Sequence, residues 1–186
     1  MDIKNLIKKY KIKQKEQEYK RYINEHKENV MLAFDEMINN PDTEWLEWDE
    51  VFSWKVRQRA LNHDNSKYEY PEFNAYRMYY HPINDKEKTS SKTMFNNAWE
   101  HHWTNNRHHW EARQDDPDYM TEEIMLDCIE NILDWMAMGY KFHDRPYQYY
   151  ENNKDKIILP QCQRDFIERL IYEGIDKKYI KKENID

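Results

Sequence analysis

The chain has 186 residues, enough for one domain with a real apolar core, and 39% of its residues are hydrophobic and 15% aromatic. Seven Trp and fifteen Tyr exclude a disordered chain, and the scarcity of glycine (two residues) and valine favours helices over sheets. The formal net charge of −7 disfavours nonspecific binding to duplex nucleic acid, because such binding depends on neutralising phosphates.

The charge is unevenly divided along the chain. Residues 1–21 hold eight Lys and Arg against three Asp and Glu, which leaves the remainder strongly acidic. Residues 4–20 read as a basic helix or a frayed arm. A solvated arm is the simpler interpretation, and contact with nucleic acid or with a partner is the alternative. We therefore treat residues 1–20 as a basic helical arm.

Helical spacing of apolar residues continues beyond the arm, over residues 19–39 and 44–64, and Asn65-Ser66 breaks the second pattern. Pro71 is expected to start a short helix that runs to about Tyr80, since proline is tolerated in a first turn. Residues 81–91 read as a polar loop and as the best candidate for a mobile lid.

The second half of the chain repeats the helical pattern. Further helices are predicted at 92–103, 121–142, 146–153 and 161–173, and Thr121 is suited to cap the start of the helix at 121–142. The prediction is an all-α, single-domain helical bundle. Its domain spans residues 21–175, and a C-terminal tail at 176–186 is expected to fray.

Polar residues on otherwise apolar helix faces indicate a buried site, because burying them costs free energy unless they are paired or bind a ligand. His26 lies on the inward face of its helix, four residues before Val30. A core histidine bonded to a backbone carbonyl is the simpler interpretation of His26. His63 and Asp64 end the second helix, where an adjacent imidazole and carboxylate can reach one metal.

The helix at 121–142 carries a polar stripe. Asp127, Asn131 and Asp134 lie at i, i+4 and i+7, so they share one face, and apolar residues surround them. This face is either exposed to solvent or lines a polar site. Four of the eight histidines also fall close together, within residues 101–109, and interleaved tryptophans favour partial burial over a surface cluster.

This order of residues resembles the HD-domain superfamily of metal-dependent phosphohydrolases: a lone His, then His-Asp, then a distant Asp, each on a separate helix. In that resemblance, four residues occupy the metal-ligand positions, namely His26, His63, Asp64 and Asp134. The chain also looks like an uncharacterised family of small bacterial and phage proteins over roughly residues 20–170. The stretches that carry this second resemblance are HDxSK (63–67), AWEHH (98–102), HHWE (108–111) and DWMAM (134–138).

The superfamily resemblance implies a helical bundle around a metal, with a metal-bound water that attacks phosphorus. Asp64 and Lys67 are then the catalytic residues, and Lys67 matches the lysine of HDxxK-type members, although a surface lysine is the alternative. Some members hold a second metal through extra histidines. His102 and His109 are our choices for this role, with two alternates, His101 and His108. A similar six-ligand set occurs in di-iron oxygenases of the superfamily.

The function predicted from the sequence is hydrolysis of a nucleotide or a small phosphate ester. It would use one or two divalent transition-metal ions (Mn, Fe, Zn, Ni or Co). The alternatives are an HD-type di-iron oxygenase and a non-enzymatic phage or bacterial interaction protein with a structural metal. The chain has no glycine-rich phosphate loop, so phosphate recognition would use basic side chains from the set Lys67, Arg57, Arg77 and Arg107.

The remaining expectations concern partners and location. We expect a small phosphate-containing substrate, no membrane partner and no specific nucleic-acid binding, and the oligomeric state is left open. No apolar run approaches the length of about 20 residues that a membrane span needs, and no signal peptide is visible. The expected location is the cytoplasm, in a bacterial host cell if a phage encodes the protein.

Overall fold

The structure is a computed structural model that describes residues 3–183. Within this range the secondary structure is helical and contains no strand, which confirms the all-α class. The α-helices are α1 (Ile3–Ile38), α2 (Glu50–Asn62), α3 (Glu72–Tyr80), α4 (Asp85–Asn105), α5 (Glu122–Phe142), α6 (Pro146–Asn153), α7 (Gln161–Arg169) and α8 (Lys177–Glu183). Among the helices described, none is both long and apolar enough to cross a membrane.

Short 3-10 helices and one π-helix complete the secondary structure of the described range. The 3-10 helices are Pro41–Leu46, Asn65–Tyr68 and Trp110–Arg113, and the π-helix is Leu170–Ile175. The predicted arm at 1–20 and the predicted tail at 176–186 each extend beyond the described residues, at 1–2 and 184–186. Where they are described, α1 continues without a break past residue 20, and α8 lies within the predicted tail.

The chain forms two compact units. Unit 1 consists of the chain up to Glu25 together with Asp64–Asn106. Unit 2 consists of His26–His63 together with the chain from Arg107 onward. Each unit has its own apolar core, as described below, and the domain boundaries at residues 20 and 175 stay a prediction.

The core of unit 1 is small and aromatic. Tyr19 and Ile23, one turn apart on α1, are buried with Ala75 and Tyr76 of α3 and Ala98 of α4. The small alanines allow α3 and α4 to pack closely, while the tyrosine rings fill the remaining space. This packing fixes α3 and α4, which carry the polar residues of unit 1.

The predicted lid at 81–91 is wrong, because α4 begins at Asp85. The Asn84 side chain caps the helix by accepting a hydrogen bond from the backbone N of Glu87 at 2.9 Å. Arg77 of α3 donates to the Glu87 carboxylate at 2.8 Å and joins the two helices. The polar composition of this segment therefore reflects a capped first turn with an exposed face.

The core of unit 2 forms around α5. Its apolar residues are buried on nearly all sides, as expected for a central helix. Thr121 caps α5 by accepting a hydrogen bond from the backbone N of Ile124 at 3.2 Å, which confirms the predicted start of this helix. The helix predicted at 44–64 is shorter in the structure, since Asp49 caps α2 by accepting from the backbone N of Phe52 at 2.7 Å.

Candidate metal centre

Unit 2 brings five polar side chains together, and we call them the unit 2 cluster. They are His26 on α1, His63 at the C-terminal end of α2, His108 in the segment before Trp110–Arg113, and Glu130 and Asp134 on α5. The three histidines are buried. Glu130 and Asp134 lie four residues apart, so they project from the same face of α5.

Three atoms of the unit 2 cluster form a triangle. His26 Nε2 lies 3.2 Å from His63 Nε2 and 3.1 Å from Asp134 Oδ1, and the third edge, from His63 Nε2 to Asp134 Oδ1, measures 3.7 Å. Nitrogen and oxygen ligands held tetrahedrally at about 2.0–2.2 Å from a metal are about 3.3–3.6 Å apart. The mean edge of the triangle falls in that range, so these residues fit one face of a tetrahedral metal site.

Glu130 orients two of the imidazoles. Its Oε1 accepts hydrogen bonds from His63 Nδ1 at 3.0 Å and from His108 Nδ1 at 3.2 Å. A histidine that donates from Nδ1 to a carboxylate in its neutral form carries no proton on Nε2, and this tautomer binds metals through Nε2. Glu130 therefore prepares His63 to use its Nε2 atom as a metal ligand.

The two carboxyl groups of the unit 2 cluster are held in their charged form. Burial raises the pKa of Asp134, but the neighbouring imidazoles of His26 and His63 outweigh burial and keep the pKa well below its ordinary value. Burial likewise raises the pKa of Glu130, and hydrogen bonds from His108 and His63 lower it by more. Both groups are therefore anionic at neutral pH, which is the state that attracts a cation.

Two basic side chains hold α2 in place at this cluster. Lys27 Nζ donates to the backbone oxygens of Leu61 and His63, each at 2.9 Å, and so satisfies carbonyl groups at the C-terminal end of α2. Arg59 of α2 donates to Asp127 of α5 at 2.6 Å. These contacts fix the end of α2 from which His63 projects.

The polar stripe predicted on α5 is divided in the structure. Asp134 belongs to the unit 2 cluster, whereas Asp127 accepts from Arg107 Nε at 2.9 Å and Asn131 accepts from Arg113 at 2.7 Å. Asp127 and Asn131 are buried, so the stripe is not a solvent face. Two of its three members bind arginines, and one belongs to the candidate metal centre.

Unit 1 contains a second group of buried polar side chains, the unit 1 cluster. His102 on α4 lies between two carboxylates: its Nε2 is 3.2 Å from Asp64 Oδ1, and its Nδ1 is 2.7 Å from Glu72 Oε2. All three residues are buried. Burial lowers the pKa of His102, but hydrogen bonds to Asp64 and Glu72 outweigh it and raise the pKa above its ordinary value.

Glu72 has the same role in unit 1 that Glu130 has in unit 2. It accepts from His101 Nδ1 at 2.8 Å as well as from His102 Nδ1, and Ser66 Oγ donates to it at 2.9 Å. Each cluster thus contains one buried glutamate that accepts from two histidine Nδ1 atoms. This arrangement is the one by which carboxylates orient metal-binding imidazoles.

The backbone at Asp64 directs its side chain. Asp64 has φ 57° and ψ 19°, in the left-handed region, which Asp tolerates better than most residues. Lys67, one turn later in Asn65–Tyr68, donates to the Asp64 carboxylate. Asp64 therefore lies between an imidazole and an ammonium group within unit 1.

The residues predicted as metal ligands fall in both units. His26, His63 and Asp134 come together in unit 2, and Asp64 and His102 are paired in unit 1. Convergence of the predicted set on one metal stays a prediction.

The histidines of residues 101–109 divide in the same way. His109 belongs to unit 2, where its ring centroid is 4.2 Å from that of His108. His108 and His101 were named as alternates. Glu130 binds His108 in addition to His63, and Glu72 binds His101 in addition to His102. Assignment of His109 as a ligand stays a prediction.

The sequence prediction missed the two glutamates. Glu130 precedes Asp134 by one helical turn in an apolar helix, and this spacing could have identified it. Glu72 follows Pro71 in the first turn of α3, where an acidic residue is usually explained by the helix dipole. No local feature of the sequence distinguishes Glu72 from an ordinary N-terminal glutamate.

The chain belongs to DUF5662, a family of unknown function, which it matches over residues 15–174. No curated protein and no solved structure matches it. The matched range includes every residue of both clusters, whereas residues 1–14 precede it. The support for a function of this chain therefore comes from the two clusters.

Proposed function

We propose that this chain is a metal-dependent phosphohydrolase that acts on a nucleotide or another small phosphate ester. The observation that carries the proposal is the triangle of His26 Nε2, His63 Nε2 and Asp134 Oδ1, whose mean edge fits a bound transition metal. The order of ligands along the chain, which resembles that of the HD-domain superfamily, supports the choice of reaction.

The ligand types narrow the choice of metal. Two imidazoles with a carboxylate suit Mn, Fe, Co, Ni or Zn better than Mg or Ca, which prefer oxygen ligands alone. A divalent ion held there would lower the pKa of a water molecule and stabilise negative charge on the phosphoryl group. The carboxylates of the unit 2 cluster supply negative charge to hold the ion.

Lys67 is proposed to act on the substrate, whereas Asp64 keeps its roles as a predicted metal ligand and catalytic residue. Three of the four cations considered for phosphate recognition are paired with carboxylates: Arg77 donates to Glu87, Arg107 to Asp116 and Lys67 to Asp64. Lys67 is oriented by Asp64, so its ammonium group has a defined position within unit 1. We assign Lys67 to a phosphate oxygen for that reason.

The test is release of phosphate with the metal-loaded full chain. A panel of nucleotides and phosphomonoesters is incubated with protein that contains Mn or another of these metals. We expect slow hydrolysis of at least one compound, abolished in His63→Asn and retained in His143→Asn, a matched change at an exposed histidine. Absence of metal-dependent release across the panel contradicts the proposal.

A di-iron oxygenase is the second candidate, and one observation favours it. Unit 1 holds a further buried imidazole between two carboxylates, His102 between Asp64 and Glu72, which is the ligand chemistry of an iron site. Oxygen consumption by the iron-loaded protein tests this candidate. If neither activity is found, a binding protein with a structural metal becomes the better explanation.

We propose a cytoplasmic location, in a bacterial host cell if a phage encodes the chain. Cys128 and Cys162 are both free thiols, and Cys128 is buried. Free thiols are typical of proteins in a reducing compartment. Fractionation of expressing cells, with detection of the full chain, checks the location.

A further inference from the structure

The first three turns of α1 form a basic helical segment with an apolar stripe, which we call the basic segment (residues 3–14). It contains five lysines and no Asp or Glu. Four large apolar side chains of this segment are exposed, by 48–72%: Ile3, Leu6, Ile7 and Tyr10. The first buried apolar residue of α1 is Tyr19, beyond the segment.

The apolar and basic residues occupy different sides of the helix. At about 100° per residue, the four apolar side chains fall within an arc of about 100°. Lys11 and Lys4 border one side of this arc, and Lys13 and Lys9 border the other. Lysines on both flanks of an apolar stripe can keep their ammonium groups in water while their stems follow an apolar surface.

Neither the described core of unit 1 nor the proposed reaction uses the stripe. Its residues contribute nothing to the described core of unit 1, which begins at Tyr19. The match to the family also begins at residue 15, so the basic segment lies outside the part of the chain that carries both clusters. These two facts leave residues 3–14 available for a separate role.

We propose that the basic segment binds the surface of an anionic phospholipid membrane, with its apolar stripe in the interface and its lysines at the lipid phosphates. A flat anionic surface contacts both lysine flanks at once, and it accepts the apolar stripe between them. A nucleic acid would use the lysines but leave the stripe in water. A groove on a protein would cover the stripe but reach fewer lysines.

This contact differs from a membrane span. The expectation of no membrane partner rested on the lack of an apolar run of spanning length, and a helix that lies on the surface needs no such run. The proposal is independent of the metal and of the reaction, because it uses no residue of either cluster.

Cosedimentation of the full chain with lipid vesicles tests the proposal. Vesicles of phosphatidylcholine alone are compared with vesicles of phosphatidylcholine and phosphatidylglycerol in equal parts. We expect binding to the anionic vesicles only, and weaker binding as salt concentration rises. The double change Leu6→Ser with Ile7→Ser should lower the partition coefficient by about tenfold or more, since it removes two apolar side chains that the lipid interface would bury.

The matched control is the double change Val51→Ser with Trp54→Ser, at apolar residues of α2 that are exposed by 62% and 60%. This variant should bind the anionic vesicles as the unchanged chain does, and circular dichroism should show equal helix content in all three proteins. Equal binding to both vesicle types, no binding, or binding that survives the Leu6 and Ile7 changes overturns the proposal. Duplex DNA binding in place of vesicle binding overturns it as well.

Discussion

His26 and His63 are 37 positions apart in the sequence, yet their Nε2 atoms lie 3.2 Å from each other. Glu130 accepts the Nδ1 hydrogen of His63, so Nε2 of a neutral His63 is an acceptor. His26 Nε2 also faces Asp134 Oδ1 at 3.1 Å. The single hydrogen on His26 Nε2 would have to be shared between His63 Nε2 and Asp134 Oδ1. A cation bound among the three atoms would instead contact each of them.

Glu130 should be the residue that sets metal affinity without binding the metal itself. The change Glu130→Gln keeps the shape of the side chain but replaces a carboxylate with an amide. We expect metal affinity to fall by about 10- to 100-fold, as for other carboxylates that orient histidine ligands. Isothermal titration with Mn or Zn measures the loss, and the ¹⁵N shifts of the imidazoles report a change of tautomer at His63 and His108.

Glu123→Gln is the matched control for that experiment. Glu123 lies on the same helix and pairs with Arg59 at 2.6 Å, but it is exposed. Its replacement should leave metal affinity and the imidazole shifts unchanged. Equal loss in both variants would mean that the overall charge of α5, and not the hydrogen bonds of Glu130, determines affinity.

Asp64 and Lys67 should be separable by mutation. We expect Asp64→Ala to abolish turnover, because it removes a predicted metal ligand. Lys67→Ala should lower turnover and leave metal bound, because the lysine is assigned to the charge of the substrate. Phosphate release and metal content are measured on the same preparations. Loss of metal in Lys67→Ala would show that the roles are wrongly assigned.

The fold class was predicted from local helical patterns, whereas three residues of the unit 2 cluster were named as ligands by the resemblance to the HD-domain superfamily. Local patterns only drew attention to His26 on an apolar helix face and to Asp134 in a polar stripe. The glutamates were not identified, because their partners are distant: Glu130 binds His63 across 67 positions, and Glu72 binds His102 across 30. Helical periodicity contains no information about such pairs.

The lid at 81–91 was wrong for a different reason. A run of polar residues after His81-Pro82 is typical of a loop, and it is equally compatible with the exposed face of a helix. The Asn84 cap and its bond from the backbone of Glu87 decide between them. Because Asn84 could be recognised as a helix cap in the sequence, the start of this helix could have been predicted.

Arg113 should be important for stability. Its guanidinium is fully buried and donates to Asn131, Gln163 and the backbone oxygen of His108. Arg113→Met leaves these acceptors without that donor, so we expect a loss of about 3 kcal/mol in the free energy of unfolding. Urea denaturation followed by tryptophan fluorescence measures it.

Arg57→Met is the control for Arg113, since Arg57 is exposed on α2. Its replacement should change the free energy of unfolding by less than about 0.5 kcal/mol. A comparable loss in the two variants would mean that removal of a positive charge from this acidic chain, and not burial of the guanidinium, explains the effect.

Glu36 should make stability depend on pH. Burial raises its pKa, but hydrogen bonds from Tyr140 and Arg145, together with the charge of Arg145, lower it below the ordinary value of 4.5. A carboxyl group with a depressed folded pKa stabilises the protein above its unfolded pKa, and this contribution disappears as pH falls through the folded pKa. Glu36→Gln should therefore be less stable than the unchanged chain at pH 7, with the difference shrinking below pH 4.5. Glu28→Gln, an exposed change on the same helix, should show no such trend in thermal unfolding across this pH range.

The most direct test of the account is the metal content of the full chain. Protein purified without chelator is loaded with excess Mn, Fe or Zn at neutral pH, dialysed and analysed for metal, beside His26→Asn, Asp134→Asn and the control His143→Asn. The account predicts at least one tightly held ion per chain in the unchanged protein and in His143→Asn, and loss of that ion in the other two. Failure of every metal to remain bound, or equal retention in all four proteins, would contradict a metal centre at His26, His63 and Asp134.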